Sequence, residues 1–198
     1  MSNDLIKSIT GFLLLVLMFS GCGTGAVVIS GDVNTPGTAY AEGVRLLEAG
    51  AYDRSKAAFE RARTLDADYA AAYEGLSRVA FAQGNRNEAI RYIQTAKIKN
   101  VDYVPAWIFT GLMYNSVKRY QAALIEFREA LNRDPDELWT VTTYFHMAQT
   151  YEQMENPEEA YTAYSSVLER DALHMEARKG KERVKKDLPA GFFNPWRN

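Results

Sequence analysis

Cysteine and histidine, on which many catalytic and metal-binding sites depend, are nearly absent from this sequence. Among 198 residues there are one cysteine, Cys22, and two histidines, His146 and His174. One cysteine cannot close a disulfide within the chain, and neither histidine has a second histidine or a cysteine at ligand spacing. We therefore expect neither a disulfide scaffold nor a cysteine-rich zinc site, and we predict no metal and no cofactor.

An excess of charge of one sign is also lacking. The chain carries 23 lysine and arginine residues against 25 aspartate and glutamate residues, a formal net charge of −2. A chain without a broad positive field is a poor binder of nucleic-acid phosphates, so we predict no nucleic-acid partner. With 47% hydrophobic and 24% charged residues, the composition is that of an ordinary folded soluble protein.

The most apolar segment lies near the N-terminus and is short. Lys7 stands in a polar head, an apolar run follows from Phe12 to Phe19, and two small residues come next. The run is eight residues long, whereas a membrane-spanning helix needs about twenty. This order of polar head, apolar run and small residues predicts a signal peptide over residues 1–21.

The end of this segment resembles the lipobox of bacterial lipoproteins. In Phe19-Ser20-Gly21-Cys22, small residues precede a cysteine, which in that family is lipidated and becomes the N-terminus. The resemblance implies lipidation of Cys22 and, because Gly23 is not aspartate, a place in the bacterial cell envelope on the periplasmic face of the outer membrane. Several acyl chains would anchor the protein stably, since one chain alone binds a membrane only marginally. Two other interpretations stay open, namely a secreted protein with an incidental cysteine and a thiol kept for its reactivity.

A flexible tether is predicted between this anchor and the rest of the chain, over residues 22–35. Residues 23–37 contain four glycines and one proline. This composition favours a linker over a packed helix or strand.

The rest of the chain repeats with a period of 34 residues. The clearest unit contains, in order, Trp107, Gly111, Tyr114, Tyr120, Ala123, Phe127, Ala130 and Pro135. At these positions it resembles the tetratricopeptide repeat (TPR), a helix-turn-helix unit. The resemblance gives four units, residues 36–69, 70–103, 104–137 and 138–174, the last of which begins with an insertion of Leu138, Trp139 and Thr140. It implies an all-α fold, a right-handed α-solenoid of four TPR helix-turn-helix repeats.

Residue sizes and turn residues support paired helices independently of the resemblance. Small residues recur where the two helices of a unit approach closely, at Gly43, Ser77, Gly111 and Ala148. An aromatic residue such as Phe59 or Phe127 can then pack against the facing helix. Asn85 and Asn156, each with a glutamate three residues later, predict capping boxes at the starts of second helices.

The composition changes after the fourth unit. Residues 175–187 are helical in pattern and highly charged, which predicts the polar capping helix that a solenoid needs. Its basic residues fit a solvated cap, and a patch for RNA or anionic lipid is the alternative. Residues 188–198 contain Phe192, Phe193 and Trp196. We expect this aromatic tail either to dock on the flank of the last helices or to bind a partner.

Family geometry assigns a concave groove to the first helix of each unit. The groove positions carry Tyr40, Val44, Leu47, Glu74, Arg78, Phe81, Ile108, Phe109, Leu112, Asn115, Phe145, His146 and Gln149, and Trp139 is expected at the rim. Because many of these residues are large and apolar, the groove suits an extended peptide or the apolar face of a helix, oriented by Glu74 and Arg78. The alternative is a groove that the protein covers itself, with Phe109 packed between repeats.

Residues that could form a catalytic centre are not evident. Acylation would consume Cys22, and no serine stands in a nucleophile elbow. The resemblance implies a non-enzymatic, lipid-anchored TPR adaptor without a small-molecule substrate, similar in design to pilotin-type TPR lipoproteins. Its expected partner is a protein or peptide of the cell envelope, in the assembly or stability of a pilus, secretion or wall complex. The alternatives are a self-associating structural lipoprotein and a wall-active enzyme.

The lipobox generates a prediction about the mature N-terminus. We expect mass spectrometry of the wild-type protein to find an acylated Cys22 as its first residue. Cys22→Ala should leave the protein unlipidated, because the sequence has no other cysteine to accept the lipid. A mature chain that begins at any other residue would contradict both the lipidation and the localisation.

Overall fold

The computed structural model describes residues 34–192, which fold into nine α-helices. These are α1 (Pro36–Glu48), α2 (Tyr52–Leu65), α3 (Ala70–Ala82), α4 (Arg86–Lys99), α5 (Val104–Ser116), α6 (Tyr120–Asn132), α7 (Thr140–Gln153), α8 (Pro157–Arg170) and α9 (Met175–Val184). A short 3₁₀ turn, Lys185–Asp187, follows α9. Within the described range there is no β-strand, and none of the helices has the length and hydropathy to cross a membrane. The predicted all-α fold is confirmed.

Consecutive helices pack as four hairpins that stack in chain order. The hairpins pair α1 with α2, α3 with α4, α5 with α6, and α7 with α8, and α9 packs on α8. The first helices also contact one another in turn, from α1 to α3, α5, α7 and finally α9. They therefore form one layer of the molecule, and the second helices form the other. The predicted solenoid of four helical hairpins with a capping helix is confirmed.

The ring of Phe59 holds the first hairpin against the second. Phe59 is fully buried and lies against Gly43 of α1 and Gly75 of α3. A Cβ atom on Gly43 would come within 2.6 Å of the ring, and one on Gly75 would come as close. Since real Cβ contacts are not that short, only glycine leaves room for the phenylalanine at both positions.

The same contact, which we call the junction contact, recurs between successive repeats with different residue sizes. In each case a residue of a second helix meets a residue of the helix that follows it, which is the first helix of the next repeat or α9. The pairs are Phe59 with Gly75, Ile93 with Phe109, Phe127 with His146, and Tyr164 with Gly180. Two of the large rings face glycine, whereas the smaller Ile93 meets a phenylalanine. Phe127 and His146 instead stack as flat rings with centroids 6.0 Å apart. Complementary sizes therefore fill each junction without overpacking it.

Buried serines join the two helices within the first and second hairpins. The Ser55 hydroxyl donates to the carbonyl oxygen of Gly43 at 2.7 Å, and the Ser77 hydroxyl donates to that of Ala89 at 2.7 Å. Both serines are fully buried. The serine stands on the second helix in one hairpin and on the first helix in the other. Each hydroxyl is thus paired, as a buried polar group must be.

The predicted capping boxes are wrong, although the predicted helix starts are right. Asn85 and Asn156 directly precede α4 and α8, but neither side chain accepts a hydrogen bond from its helix. Glu88 lies 3.7 Å from Lys56 instead, in an ion pair between neighbouring second helices. A capping box does occur at α1, where the side chains of Thr35 and Thr38 accept each other's backbone N–H groups.

The first two residues of the insertion, Leu138 and Trp139, form a turn before α7, and the third, Thr140, begins the helix. The buried Asp134 carboxylate accepts hydrogen bonds from the Trp139 backbone N–H at 2.8 Å and from the Thr140 hydroxyl at 2.9 Å. These bonds fix the start of α7 at Thr140. Trp139 is therefore the residue before the helix, and its surface is 40% exposed.

The capping helix α9 is attached by charge as well as by packing. Tyr164 donates to the Glu152 carboxylate at 2.8 Å, and Arg183 of α9 pairs with the same carboxylate. The hydrogen bond from Arg183 holds the pKa of Glu152 below its ordinary value. Gly180 gives α9 its close approach to the Tyr164 ring. One member of the basic cluster therefore has a structural role beyond solvation.

The beginning of the aromatic tail packs on the last hairpin. The Phe192 ring meets the Tyr161 ring of α8 edge to face, with centroids 5.6 Å apart. The remainder of the tail lies outside the described residues, as do the predicted signal peptide and Cys22. The prediction of docking on the flank thus agrees with the position of Phe192.

The close approach of α5 and α6 predicts a strong effect of a side chain at Gly111. Even a Cβ atom there would lie 2.8 Å from two carbon atoms of the Phe127 ring. Gly111→Leu should therefore lower the free energy of unfolding by about 1–3 kcal/mol or more. Lys118→Ala, at an exposed turn, should change it by less than about 0.5 kcal/mol. Urea unfolding measures both variants, and equal shifts of the two midpoints would contradict this packing.

Candidate binding surface

The layer of first helices carries the residues that the sequence predicts for a groove, and most of them are half-buried. These are Tyr40, Val44, Leu47, Arg78, Phe81, Leu112, Asn115, Phe145, His146 and Gln149. Trp139 is exposed at the start of α7. Side chains in this state have some surface left for a ligand while their other atoms pack against neighbours.

Three predicted groove residues are buried and contribute little surface. Ile108 is 6% exposed and Phe109 is 8% exposed, because each fills space between its own repeat and a neighbouring one. Phe109 occupies the room beside Ile93, where another junction has glycine. Glu74 is fully buried, so it cannot contact a ligand directly. The prediction of these three as groove-lining residues is corrected accordingly.

A chain of hydrogen bonds accounts for the burial of Glu74. The Tyr40 hydroxyl donates to Glu74 Oε2 at 3.3 Å. Arg78 Nε donates to the other carboxylate oxygen, Oε1. Both oxygens are thereby paired, which offsets part of the cost of removing a carboxylate from water.

Burial dominates the electrostatics of this network. It raises the pKa of Glu74 above its ordinary value of 4.5, although Arg78 and Tyr40 oppose the shift. Burial and the Glu74 carboxylate raise the pKa of Tyr40 to about 12. Burial lowers the pKa of Arg78, but the Glu74 carboxylate more than reverses this, so the guanidinium stays charged. Two contacts hold this charge in place. Arg78 pairs with Glu74, and it also lies over the Phe109 ring, 5.3 Å from the ring centroid.

Arg78 is the charged group that this network presents to solvent. Its side chain keeps 41% of its surface exposed, whereas Glu74 keeps none. The two charged residues predicted to orient a ligand therefore have different roles. The buried Glu74 carboxylate holds Arg78 in place, and the Arg78 guanidinium can bind an acceptor oxygen of the ligand.

Asn115, farther along the layer, has an unpaired acceptor. Its Nδ2 donates to Thr150 Oγ1 at 2.6 Å, and that hydroxyl donates to the His146 carbonyl oxygen at 2.7 Å. The Asn115 Oδ1 atom is buried, and no donor among residues 34–192 reaches it. A buried amide oxygen without a donor is rare and costly.

Aromatic rings close the layer at its C-terminal end. Phe145 packs against Tyr164 and His174, with ring centroids 6.1 Å and 4.7 Å away. His146 Nδ1 lies 3.2 Å from Gln149 Oε1. Burial lowers the pKa of His146, which favours the neutral ring that stacks on Phe127. The predicted residues of this repeat are therefore brought together, but mainly as packing.

Sequence reasoning missed Tyr103 and Thr150, which support the predicted residues from neighbouring positions. Tyr103 stands just before α5, where burial and the nearby Glu74 carboxylate raise the pKa of its hydroxyl. The available signal was its spacing of 34 residues from Tyr69, the residue that precedes α3. Thr150 is fully buried and gave no such signal.

The described residues offer this layer few catalytic options. Across residues 34–192, no cluster of three or more histidine, cysteine, aspartate or glutamate residues could hold a metal ion. The layer combines half-buried apolar side chains and one partly exposed guanidinium. These groups suit the binding of a polypeptide better than a chemical step.

Profiles of the tetratricopeptide-repeat family match most of the folded region. The matches cover residues 46–108, 80–137 and 141–172. No curated protein shows significant sequence similarity to the chain. The family similarity therefore lies in the repeats themselves.

Solved structures of repeat proteins share the fold. PilF of Pseudomonas aeruginosa has a TM-score of 0.68 at 17% identity, with 77% of this chain and 68% of PilF covered. A thermophilic TPR protein of Thermus thermophilus, TTC0263, has a TM-score of 0.68 at 20% identity, with 76% of this chain and 81% of TTC0263 covered. The C-terminal part of a TPR protein from Cytophaga hutchinsonii has a TM-score of 0.60 at 16% identity, with coverages of 80% and 63%. Identities this low establish the architecture alone.

The raised pKa of Glu74 predicts how stability depends on pH. A carboxyl group with a raised pKa in the folded state stabilises folding below its ordinary pKa and loses that contribution as the pH rises through the folded value. Relative to Glu74→Gln, the wild-type protein should therefore lose stability as the pH rises above 4.5. Urea unfolding of both proteins from acidic to neutral pH measures the difference.

Glu48→Gln, at an exposed position on α1, controls for the loss of one negative charge. If instead the free energy of unfolding of the wild type rose with pH relative to that of Glu74→Gln, the ion pair with Arg78 would outweigh the cost of burying the carboxylate.

Proposed function

Because the chain belongs to the tetratricopeptide-repeat family, we propose that it is a lipid-anchored adaptor that binds a protein partner on its layer of first helices. The fold supports protein binding as the general role. The lipobox at Cys22 supports an anchor in the bacterial cell envelope, and Gly23 supports the periplasmic face of the outer membrane. The adaptor then assists the assembly or stability of an envelope complex.

The half-buried apolar side chains of the first-helix layer are the observation that carries the binding surface. Side chains of this kind suit an extended peptide or the apolar face of a helix. Leu112 lies one helical turn before Asn115 and packs against the cores on both sides of its repeat. The partner therefore meets an apolar contact on this stretch of α5.

Arg78 adds direction to this surface. Its guanidinium is charged, partly exposed and held by Glu74 and the Phe109 ring. A held guanidinium binds a carboxylate or carbonyl oxygen with less loss of side-chain freedom than a mobile one. We therefore propose a peptide segment with apolar side chains and an acceptor group for Arg78.

Self-association is the second candidate, favoured by exposed apolar side chains outside this layer. Ile98, Leu138 and Leu173 expose 82%, 77% and 80% of their surface. Sedimentation velocity of the soluble domain distinguishes this role, since a structural lipoprotein should form concentration-dependent oligomers.

The adaptor proposal is tested by a charge placed on the binding surface. Leu112→Glu should abolish co-purification of the envelope partner from native membranes, because binding would bury an unpaired carboxylate. Ile125→Glu, on α6 where the side chain is 57% exposed, is the matched control and should retain the partner. Circular dichroism must show unchanged helix content in both variants. A partner that stays bound to Leu112→Glu would exclude this surface as the binding site.

A further inference from the structure

A second concave site lies between the second and third repeats, where α4 faces α5 and α6. It encloses about 400 Å³, within the usual range for ligand-binding pockets. Ile93 and Met113 line it and are 2% and 9% exposed, while Ile90 and Val117 are 44% and 42% exposed. The site is therefore an apolar cleft in which part of the apolar surface remains in contact with water.

The charges of this cleft are unbalanced. Lys97 and Glu126 line it as an ion pair at 2.6 Å, and Lys97 also lies 3.9 Å from the centre of the Trp107 ring. The carboxylate of Glu126 is thus already neutralised. Arg86 and Arg119 also line the cleft and are exposed, and neither has an ion-pair partner within the described range. Three cations and one carboxylate give the cleft a charge of +2, in a chain whose net charge is −2.

Helix stability does not explain the two unpaired arginines. Arg86 is the first residue of α4, and Arg119 directly precedes α6. A cation at the N-terminal end of a helix is disfavoured by the helix dipole, whereas an anion there is favoured. The arginines and the helix ends therefore act in the same sense, and both favour negative charge beside an apolar cleft.

We propose that this cleft binds a second protein partner through a large apolar side chain flanked by aspartate or glutamate residues. The apolar side chain would displace water from Ile90, Ile93, Met113 and Val117. The acidic residues would pair with Arg86 and Arg119. The cleft lies mainly on α4 and shares Phe81 with the first-helix layer, but neither Arg78 nor Leu112 lines it. Its partner is therefore a second one, and the protein would bridge the two.

The test uses random dodecapeptides displayed on phage and selected on the full-length protein. Selected peptides are synthesised with a fluorescent label, and their dissociation constants are measured by anisotropy. We expect peptides that combine aspartate or glutamate with a large apolar residue. For these, Arg86→Glu with Arg119→Glu should raise the dissociation constant at least about tenfold. Ile90→Ser, which removes an apolar side chain that is already partly exposed, should also weaken binding.

Two controls separate this site from other charged surfaces and from the first-helix layer. Arg45→Glu with Arg54→Glu changes the net charge equally on α1 and α2 and should leave the dissociation constant nearly unchanged. Leu112→Glu should leave it unchanged as well, even though that variant loses the envelope partner. The proposal is overturned if no selected peptide binds more weakly to the Arg86→Glu, Arg119→Glu double variant, or if the peptides that do so lack acidic residues. It is also overturned if Leu112→Glu raises the dissociation constant of these peptides as much as the double variant does.

Discussion

The size match at each junction between repeats is the constraint on which the rest of the structure depends. A large ring on a second helix requires a small partner on the next first helix, as Phe59 requires Gly75 and Tyr164 requires Gly180. Ile93, a smaller residue, leaves room that Phe109 fills. Each helical hairpin cannot bury its apolar face alone, so stacking supplies the core. These contacts therefore set how closely the repeats approach and which side chains remain at the surface.

The chemistry of the binding surface follows from the same junctions. Because Phe109 fills the space beside Ile93, its ring lies under the Arg78 guanidinium, 5.3 Å from the ring centroid. Arg78 in turn pairs with the fully buried Glu74, whose second oxygen is satisfied by Tyr40. A surface predicted as an apolar stripe is thus a smaller apolar area around one positioned cation. A binding site of this kind gains direction from the cation and affinity from the apolar contacts.

The period of 34 residues was enough to predict the hairpins, because small residues such as Gly111 mark where two helices approach closely. The charged helical pattern of residues 175–187 was enough to predict that α9 would cap the array. The burial of Glu74 was not predicted, and that of Phe109 was expected only as the alternative, since the exposure of a first-helix residue depends on the size of its neighbour in another repeat. The absent side-chain caps at Asn85 and Asn156 have a similar cause, because local sequence gives the position of a helix start but not the rotamer at it.

The two proposed binding sites share one wall, and its packing favours independent binding. Phe81 lines the cleft and meets the Phe109 ring edge to face, with centroids 5.9 Å apart. Phe81 also belongs to the first-helix layer, and Phe109 is the ring beneath Arg78, so these two rings join the sites. Coupling requires an element with two alternative positions. Phe109 is 8% exposed and belongs to the same buried cluster as Ile93 and Met113, and close packing leaves a ring little room for a second position. A rigid wall of this kind suits a bridge that holds two partners at a fixed separation rather than a switch between them.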